Sequence, residues 1–252
     1  MPFLTAGGHR LEYEHIPGKP GAPTLVLLHE GLGSLALWRD FPQKLAMATA
    51  CPVVVYSRYG YGTSDPLAAP HTPRYMHDEA LATLPEVRQA LGLDDVILIG
   101  HSDGASIALI HAGSGRWPVR ALILEAPHVF VEDVSIKSIA EARLAYETTE
   151  LRQRLARYHA DADGAFRGWN DAWLDPAFRD WNIEEYLAGI ACPVLAIQGL
   201  DDEYGTPAQI DAIKRGVAGR FEKLVLENCK HSPHRDQEAA VLEAMSDFIA
   251  RS

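Results

Sequence analysis

The 252-residue sequence is poor in the features that would assign it to a membrane, a secretory route or a metal site. Its cysteines, Cys51, Cys192 and Cys229, are odd in number and lack a C-x-x-C spacing, which argues against a disulfide framework and a zinc site. No apolar run approaches the ~20 residues of a membrane span. Residues 1–8 lack the basic start and sustained apolar stretch of a secretory signal. These absences predict a cytoplasmic protein that does not act at a membrane.

Basic residues are also in deficit. The chain has 23 Lys and Arg against 34 Asp and Glu, a formal net charge of -11. A nucleic-acid-binding protein needs a basic face, so no nucleic-acid partner is expected. A hydrophobic fraction of 47% and a charged fraction of 23% are those of an ordinary globular protein that can bury a sizeable core. The expected partner is a small-molecule substrate, and the oligomeric state is not predicted.

Short apolar segments alternate with segments of helical spacing along most of the chain. Residues 10–15 alternate weakly, which predicts an outer antiparallel strand. Apolar runs predict further strands at residues 24–29, 52–56, 96–100, 121–125, 193–199 and 221–226. Helices are predicted at residues 35–47, at about 75–91 with a possible bend at Pro85, after residue 102, and at 237–249. This order predicts an α/β fold with a mostly parallel sheet and helices on both faces.

The alternation stops between Val131 and Ile190, where apolar residues recur at three- and four-residue steps. The second part of this segment is dense in aromatic residues: Phe166, Trp169, Trp173, Phe178, Trp181 and Tyr186. Such density favours a helical lid over an apolar cavity, although each tryptophan could instead pack the insertion onto the body. We therefore divide the chain into a core of residues 1–130 and 191–252 and a helical cap of residues 131–190.

The stretch Val96–Leu109 is the most informative part of the chain. Its apolar run stops at Gly100-His101-Ser102-Asp103-Gly104 and resumes with helical character. A serine between two such glycines is typical of a nucleophile elbow, a sharp turn from a strand to a helix. The serine there takes a strained backbone with positive φ, so side chains two residues away would collide with the turn. The sequence predicts that Ser102 is a nucleophile.

Further motifs carry a resemblance to a known family. They are His29-Glu30-Gly31-Leu32-Gly33-Ser34, Ser57-Arg58-Tyr59-Gly60-Tyr61-Gly62-Thr63-Ser64-Asp65, Gly199-Leu200-Asp201-Asp202-Glu203, and His231 in Cys229-Lys230-His231-Ser232-Pro233-His234. With the elbow, they resemble the α/β-hydrolase superfamily, in particular its capped serine hydrolases, over nearly the whole chain. The resemblance implies an eight-stranded, mostly parallel sheet and neither a cofactor nor a metal ion.

The resemblance also implies a catalytic triad. A serine hydroxyl is a weak nucleophile near neutral pH and needs a base, which a carboxylate orients. The family order is Ser, acid, His, and it assigns Ser102, Asp202 and His231 to these roles. Asp201 is the alternative acid, and His234 is the alternative base.

The oxyanion formed during attack requires backbone N–H donors. The resemblance assigns one donor to Asp103, the residue after the nucleophile, and the other to the loop after residue 29. Glu30 departs from the family pattern in that loop. If Glu30 stands in place of the usual His, Leu32 is the second donor, and Gly31 is the alternative. The carboxylate of Glu30 could also simply bind loop amides.

Four residues are candidates for substrate binding: Glu30, Asp103, Trp169 and Trp173. A carboxylate beside the nucleophile opposes oxyanion formation unless it is paired or points elsewhere. Asp103 could therefore bind a cationic or hydrogen-bond-donating substrate group. Alternatively, it could pair with a buried Arg or Tyr, such as Arg58.

The predicted function is a serine hydrolase that cleaves a small carboxylic ester, thioester, lactone or amide through an acyl-enzyme. A C–C bond hydrolase or a cofactor-free lyase would use the same triad and is the first alternative. A non-catalytic receptor for a small ligand on the same fold is an alternative of another class.

Overall fold

An eight-stranded sheet runs through the protein in the computed structural model, which describes residues 2–252. Its order is β1-β2-β4-β3-β5-β6-β7-β8. The strands are β1 (Phe3–Ala6), β2 (His9–Ile16), β3 (Thr24–Leu28), β4 (Val53–Tyr56), β5 (Val96–His101), β6 (Ala121–Glu125), β7 (Val194–Gly199) and β8 (Phe221–Leu226). β1, β2 and β4 pair antiparallel, whereas the strands from β4 to β8 along the sheet pair parallel. The predicted α/β fold with a mostly parallel sheet is confirmed.

The edge strand β1 does not appear among the strands predicted from apolar runs, because it is only four residues long. Ala6 pairs with His9, so Gly7 and Gly8 form a two-residue hairpin turn. Their φ angles of 59° and 76° are both in the left-handed region, which glycine adopts readily. The Gly-Gly pair is the signal that could have revealed this hairpin.

Helices flank the sheet on both faces. The α-helices are α1 (Phe41–Thr49), α2 (Tyr75–Asp78), α3 (Leu84–Leu91), α4 (Asp103–Gly113), α5 (Asp133–Thr148), α6 (Leu151–Leu155), α7 (Ala162–Leu174), α8 (Ala208–Gly216), α9 (Pro233–Asp236) and α10 (Glu238–Ala250). Short 3-10 turns cover Leu35–Trp38, Pro176–Phe178 and Glu184–Gly189. None of the helices in residues 2–252 is long and apolar enough to cross a lipid bilayer.

Two predicted helices are interrupted. The one expected at residues 35–47 divides into a 3-10 turn and α1, because Arg39 has a φ of 55° and Pro42 lies in the first turn of α1. The one expected at residues 75–91 contains a π-helical segment, Glu79–Thr83, directly before α3. Pro85 lies in the first turn of α3 and lacks an amide hydrogen, so the helix is irregular before it.

The core lies on both faces of the sheet, and every residue of β4, β5, β6 and β7 is buried. One cluster packs α1 and α10 against one face, with Phe41 and Phe248 among its members. The other packs α4, parts of α3 and the helices of the 131–190 segment. Continuous apolar strands are needed at this position because they meet helices on both sides.

The 131–190 segment leaves the sheet after β6 and returns at β7. It contains α5, α6, α7 and two 3-10 turns, and Phe130, the residue before the segment, forms an isolated bridge with Asn182 inside it. Its aromatic side chains Phe166, Trp169, Trp173 and Phe178 belong to the larger core cluster. They therefore pack the segment onto the sheet as well as covering its carboxyl edge. The division into core and cap domains stays a prediction.

The turn from β5 to α4 depends on two glycines. A Cβ on Gly104 would lie 2.0 Å from the carbonyl oxygen of Leu28, and one on Gly100 would lie 2.3 Å from the carbonyl oxygen of Gly104. Both contacts are with backbone atoms, which cannot move without shifting β3 or α4. The spacing of the two glycines is therefore a steric requirement of the turn.

Gly104→Ala is expected to lower the free energy of unfolding by at least ~2 kcal/mol, because the new methyl group overlaps the β3 backbone. Chemical denaturation followed by circular dichroism measures the change. Gly21→Ala is the control: its φ is 81° and no described atom lies within 4 Å of the added Cβ. It should cost only about 1 kcal/mol, the price of the left-handed backbone alone. Equal costs for the two variants would contradict the steric account.

A buried histidine makes stability depend on pH. His111 on α4 donates from Nδ1 to the Ala80 carbonyl and accepts from Arg88 at Nε2. Burial, with a further contribution from the Arg88 charge, lowers the pKa of His111 to about 4. The unfolded chain therefore takes up a proton at this side chain between pH 6.5 and 4 that the folded chain does not, so stability falls as pH falls through this window.

His111→Gln keeps a donor and an acceptor but does not titrate. We expect its loss of unfolding free energy between pH 6.5 and 4 to be smaller than that of the wild type by up to ~3 kcal/mol. Urea unfolding at several pH values gives both curves. Parallel curves for the wild type and the variant would show that His111 does not titrate in this way.

Candidate active site

Ser102 lies at the tip of the turn between β5 and α4. Its φ and ψ are 54° and -117°, and it is the residue that precedes the first turn of α4. Its amide donates to the Glu125 carbonyl of β6 at 2.9 Å, which holds the turn against the sheet. The strained backbone exposes the hydroxyl group at the carboxyl edge of the sheet, as expected of a nucleophile elbow.

A chain of hydrogen bonds joins Ser102 to two other predicted residues. His231 Nε2 lies 2.9 Å from Ser102 Oγ, and His231 Nδ1 lies 2.8 Å from Asp202 Oδ1. With Nδ1–H donating to the carboxylate, Nε2 is free to accept the serine proton. The arrangement can therefore increase the nucleophilicity of the serine oxygen without a metal ion.

Asp202 is fixed by further donors. Gln198 Nε2 donates to Oδ2 at 2.5 Å, and the Tyr204 amide donates to Oδ1 at 2.8 Å. Burial alone would raise the pKa of this carboxyl group, but the charge and hydrogen bond of His231, with the Tyr204 amide, hold the pKa below its ordinary value. Asp202 is thus ionised near neutral pH. The alternative acid, Asp201, has an exposed side chain.

The alternative base, His234, has a different partner. Its Nδ1 lies 3.0 Å from Glu125 Oε2, and its amide donates to the same oxygen at 2.9 Å. Both side chains are buried at the end of β6. His234 is therefore engaged away from the serine hydroxyl, whereas His231 contacts it.

The turn after β3 brings Leu32 to the cavity that Ser102 also lines. The Gly33 amide donates to the Glu30 carbonyl at 3.0 Å, which closes a turn whose third residue is Leu32. That turn bond does not use the Leu32 amide, so the amide is available to a ligand. The Glu30 carbonyl also accepts from Arg58 Nη2 at 2.8 Å and from His29 Nδ1 at 2.7 Å. Three donors on one oxygen give this turn a fixed position.

The second predicted donor is the amide of Asp103. It is the first residue of α4, and the first amides of a helix have no acceptor within the helix. The amide therefore lies where the partial positive charge of the helix terminus favours an anion. Leu32 and Ser102 line the same cavity, and Asp103 directly follows Ser102 in the chain.

The side chain of Asp103 does not line that cavity. It is fully buried, and its oxygens accept from the Tyr75 hydroxyl group and, at 3.3 Å, from the indole nitrogen of Trp173. Burial raises its pKa despite the opposing effects of the Arg58 charge and these two donors. The expected direct pairing with Arg58 is wrong, because Arg58 donates to the turn after β3 instead. A buried tyrosine, the other partner type expected, supplies the contact.

Glu30 and His101 form an ion pair in which His101 is buried and Glu30 is partly exposed. Glu30 Oε2 lies 3.4 Å from His101 Nδ1, and the Glu30 side chain also lines the cavity. Thus the carboxylate that departs from the family loop has a side-chain partner rather than only amides of its own loop. His101 in turn contacts the backbone of His231 at 2.6 Å.

The cavity at Ser102 has a volume of about 100 Å³. Residues of the 131–190 segment form one wall, and they are Ser135, Ile139, Trp169 and Trp173. Trp169 packs closely against the turn after β3: a Cβ on Gly31 would lie 2.2 Å from its indole ring. The two predicted tryptophans therefore border the cavity, and its size suits a small group.

Sequence reasoning missed two histidines at this site. His159, between α6 and α7, accepts from the Gly62 amide at Nδ1 and donates from Nε2 to the Leu32 carbonyl at 3.1 Å. His128, after β6, lines the cavity beside His231, and burial, with a smaller effect of the His231 charge, lowers its pKa to about 3. Neither lies in a motif, so only the three-dimensional contacts reveal them.

A second cavity of about 420 Å³ lies beyond Tyr75, which lines it together with Arg58, Tyr61, His71 and Glu79. The Tyr75–Asp103–Trp173 hydrogen bonds stand between the two cavities. Within residues 2–252, no group of three or more His, Cys, Asp or Glu side chains is arranged to hold a metal ion.

The chain resembles known proteins in both sequence and fold. The model of the "Alpha/beta hydrolase family" matches residues 25–244. Proline iminopeptidase from Lactobacillus crispatus is 30% identical over 99% of this chain and 96% of its own length. An esterase from Exiguobacterium antarcticum aligns with 98% of both chains, at a TM-score of 0.77 and 20% identity.

The enol-lactonase from Burkholderia xenovorans aligns with 99% of this chain and 100% of its own, at a TM-score of 0.74 and 20% identity. Structural likeness at such identities concerns the fold alone. The family model, by contrast, covers most of the chain and includes the elbow with both of its glycines. The protein belongs to the alpha/beta hydrolase family, and it is a hydrolase of that family.

Proposed function

We propose that the protein cleaves a small carboxylic ester through an acyl-enzyme on Ser102. The observation that carries the proposal is the unbroken chain from Asp202 through His231 to the Ser102 hydroxyl, with distances of 2.8 and 2.9 Å. The names of the similar proteins, an esterase, a lactonase and an iminopeptidase, support including lactones and amides in the proposal. Thioesters are included because they are acyl compounds that the same chemistry would cleave.

In the first half of the reaction, Ser102 Oγ attacks the carbonyl carbon while His231 Nε2 takes its proton. The negative charge on the former carbonyl oxygen is stabilised by the amides of Leu32 and Asp103. When the tetrahedral intermediate collapses, the bond to the leaving oxygen breaks and His231 returns the proton to it. An alcohol leaves, and the acyl group stays on Ser102.

In the second half, water replaces the alcohol. His231 removes a proton from the water as it attacks the acyl carbon, and then gives that proton to Ser102 Oγ as the carboxylic acid leaves. Asp202 keeps the imidazole in the required tautomer and stabilises its charged form in both halves. No cofactor or metal ion takes part in this scheme.

The substrate is proposed to be a small molecule with a short acyl group. The cavity of about 100 Å³ leaves room for few carbon atoms beyond the reacting carbonyl. Residues 131–190 act as a cap in this proposal, because Ile139, Trp169 and Trp173 form the apolar wall against the acyl chain. Glu30 lines the same cavity, whereas Asp103 contributes its amide rather than its buried carboxylate.

Ser102→Ala removes the proposed nucleophile and should abolish labelling by a fluorophosphonate probe at pH 7 to 9. Hydrolysis of p-nitrophenyl acetate should fall at least ~10³-fold. Ser114→Ala, at the far end of the same helix, is the control and should keep both activities. Labelling that persists in Ser102→Ala would refute the assignment. If the wild type neither labels nor hydrolyses esters, a non-catalytic ligand receptor is the better account.

Ile139→Ala should widen the acyl side of the cavity. We expect the ratio of kcat/KM for p-nitrophenyl butyrate over the acetate to rise about 10-fold, because each buried methylene contributes ~0.8 kcal/mol. Ile136→Ala lies on the same helix but does not line the cavity, so it should leave the ratio unchanged. Equal ratios in the wild type and Ile139→Ala would show that the acyl group lies elsewhere.

A further inference from the structure

We propose that Glu30 and His101 form a positioning pair that holds the oxyanion turn and the loop of His231 in register with each other. The inference rests on the proposed function, and it concerns residues that touch neither the substrate carbonyl nor the serine hydroxyl in that scheme. Glu30 belongs to the turn that presents the Leu32 amide, and His101 contacts the backbone of the proposed base.

The contacts define the protons on His101. Its Nε2 lies 2.6 Å from the His231 carbonyl oxygen, which can only accept, so Nε2 carries a hydrogen. Its Nδ1 lies 3.4 Å from the Glu30 carboxylate, within ion-pair distance but outside hydrogen-bond geometry. A proton on Nδ1 makes the ring an imidazolium whose charge faces this carboxylate. The cation then joins two loops that come from opposite ends of the chain.

The electrostatics agree with this geometry. Burial alone would lower the pKa of His101, but the adjacent Glu30 carboxylate, with smaller effects of Glu125 and the His231 carbonyl, raises it to about 9. Burial alone would raise the pKa of Glu30, and the adjacent His101 ring instead lowers it far below its ordinary value. The pair is charged at neutral pH.

The surroundings of His101 leave Glu30 as its direct counter-ion. The ring is 1% exposed and is packed edge-on to His234 and tilted against His231, with centroid distances of 5.1 and 5.3 Å. The other titratable side chains that face it are Glu125, His128, His231 and His234. Glu125 is already bonded to His234 at 3.0 Å. Loss of the His101 charge would therefore leave the Glu30 carboxylate without its partner.

A displaced turn changes catalysis more than binding. The Leu32 amide and Glu30 lie in the same turn. The carbonyl oxygen that accepts from His101 is the backbone carbonyl of His231. The Leu32 amide and the His231 imidazole both act on the transition state, so small displacements of either group reduce kcat. KM changes less, because the wall formed by residues 131–190 still binds the substrate. A pair that only stabilised the fold would lower the unfolding free energy without this split.

Glu30→Gln and His101→Gln test the pair. Each is expected to reduce kcat for p-nitrophenyl acetate roughly 10- to 100-fold at pH 7.5, with KM changed less than 3-fold. The double variant should be no slower than the slower single variant, because the two side chains act as one unit. Glu79→Gln is the control for a buried Glu→Gln change, and it should retain the wild-type kcat.

The pH dependence separates positioning from simple structural support. In the wild type, imidazole ¹⁵N NMR should show both His101 N–H groups until a midpoint near pH 9, and kcat should fall with the same midpoint. In Glu30→Gln the midpoint of the His101 titration should move below pH 7, because the effect of burial, which lowers the pKa, is then no longer opposed by the Glu30 charge. The resonances that are present in the wild type and absent from His101→Gln are those of the His101 ring.

The results distinguish the two proposals. If the wild type is not labelled by the fluorophosphonate, the proposed function fails first. If it is labelled and hydrolyses esters, yet His101 titrates below pH 7 in the wild type or its midpoint is the same in Glu30→Gln, the positioning pair is refuted. Unchanged kcat in both single variants would also refute it.

Discussion

The strained backbone at Ser102 is the constraint on which the rest of the site depends. A φ of 54° at a non-glycine residue costs energy, and it persists because α4, β5 and the Glu125 carbonyl hold the turn from three directions. Gly100 and Gly104 let these backbones approach as closely as the turn needs. As a result, the Ser102 hydroxyl group and the amide of Asp103, the first residue of α4, lie close together in the middle of the carboxyl edge of the sheet. A nucleophile and an anion-binding amide are thus positioned by one turn.

The other parts of the site are brought to this point by topology. β3, β5 and β6 are neighbours in the sheet, and β7 lies next to β6, so the segments that follow them meet at one edge. Parallel strands end at the same edge, which collects loops that are far apart in sequence. Partly buried hydrogen bonds then fix each loop. His159 donates to the Leu32 carbonyl, Gln198 donates to the Asp202 carboxylate, and His101 donates to the His231 carbonyl.

Sequence reasoning reached the parts of the site that motifs mark. The motifs around Ser102, Asp202 and His231, through their resemblance to those of the family, are enough to predict that the three meet. The density of tryptophans predicts that Trp169 and Trp173 border a cavity. The partner of Asp103 was not accessible in this way, because Tyr75 belongs to a helix with no motif and the choice between Tyr75 and Arg58 depends on side-chain direction. The sequence does not reveal the buried histidines His128 and His159 either, because neither lies in a motif. Among the elements, β1 and the interrupted helices depend on short glycine and proline signals rather than on periodicity.

The central claim is that Ser102 carries an acyl group during turnover. Rapid chemical quenching of the wild type mixed with p-nitrophenyl acetate, followed by mass spectrometry of the digested protein, tests it directly. The account predicts that the acetyl group is found on the peptide that contains Ser102 and that it accumulates at the rate of the p-nitrophenol burst. Turnover without an acylated Ser102, or with the acyl group on another residue at the same rate, would contradict it.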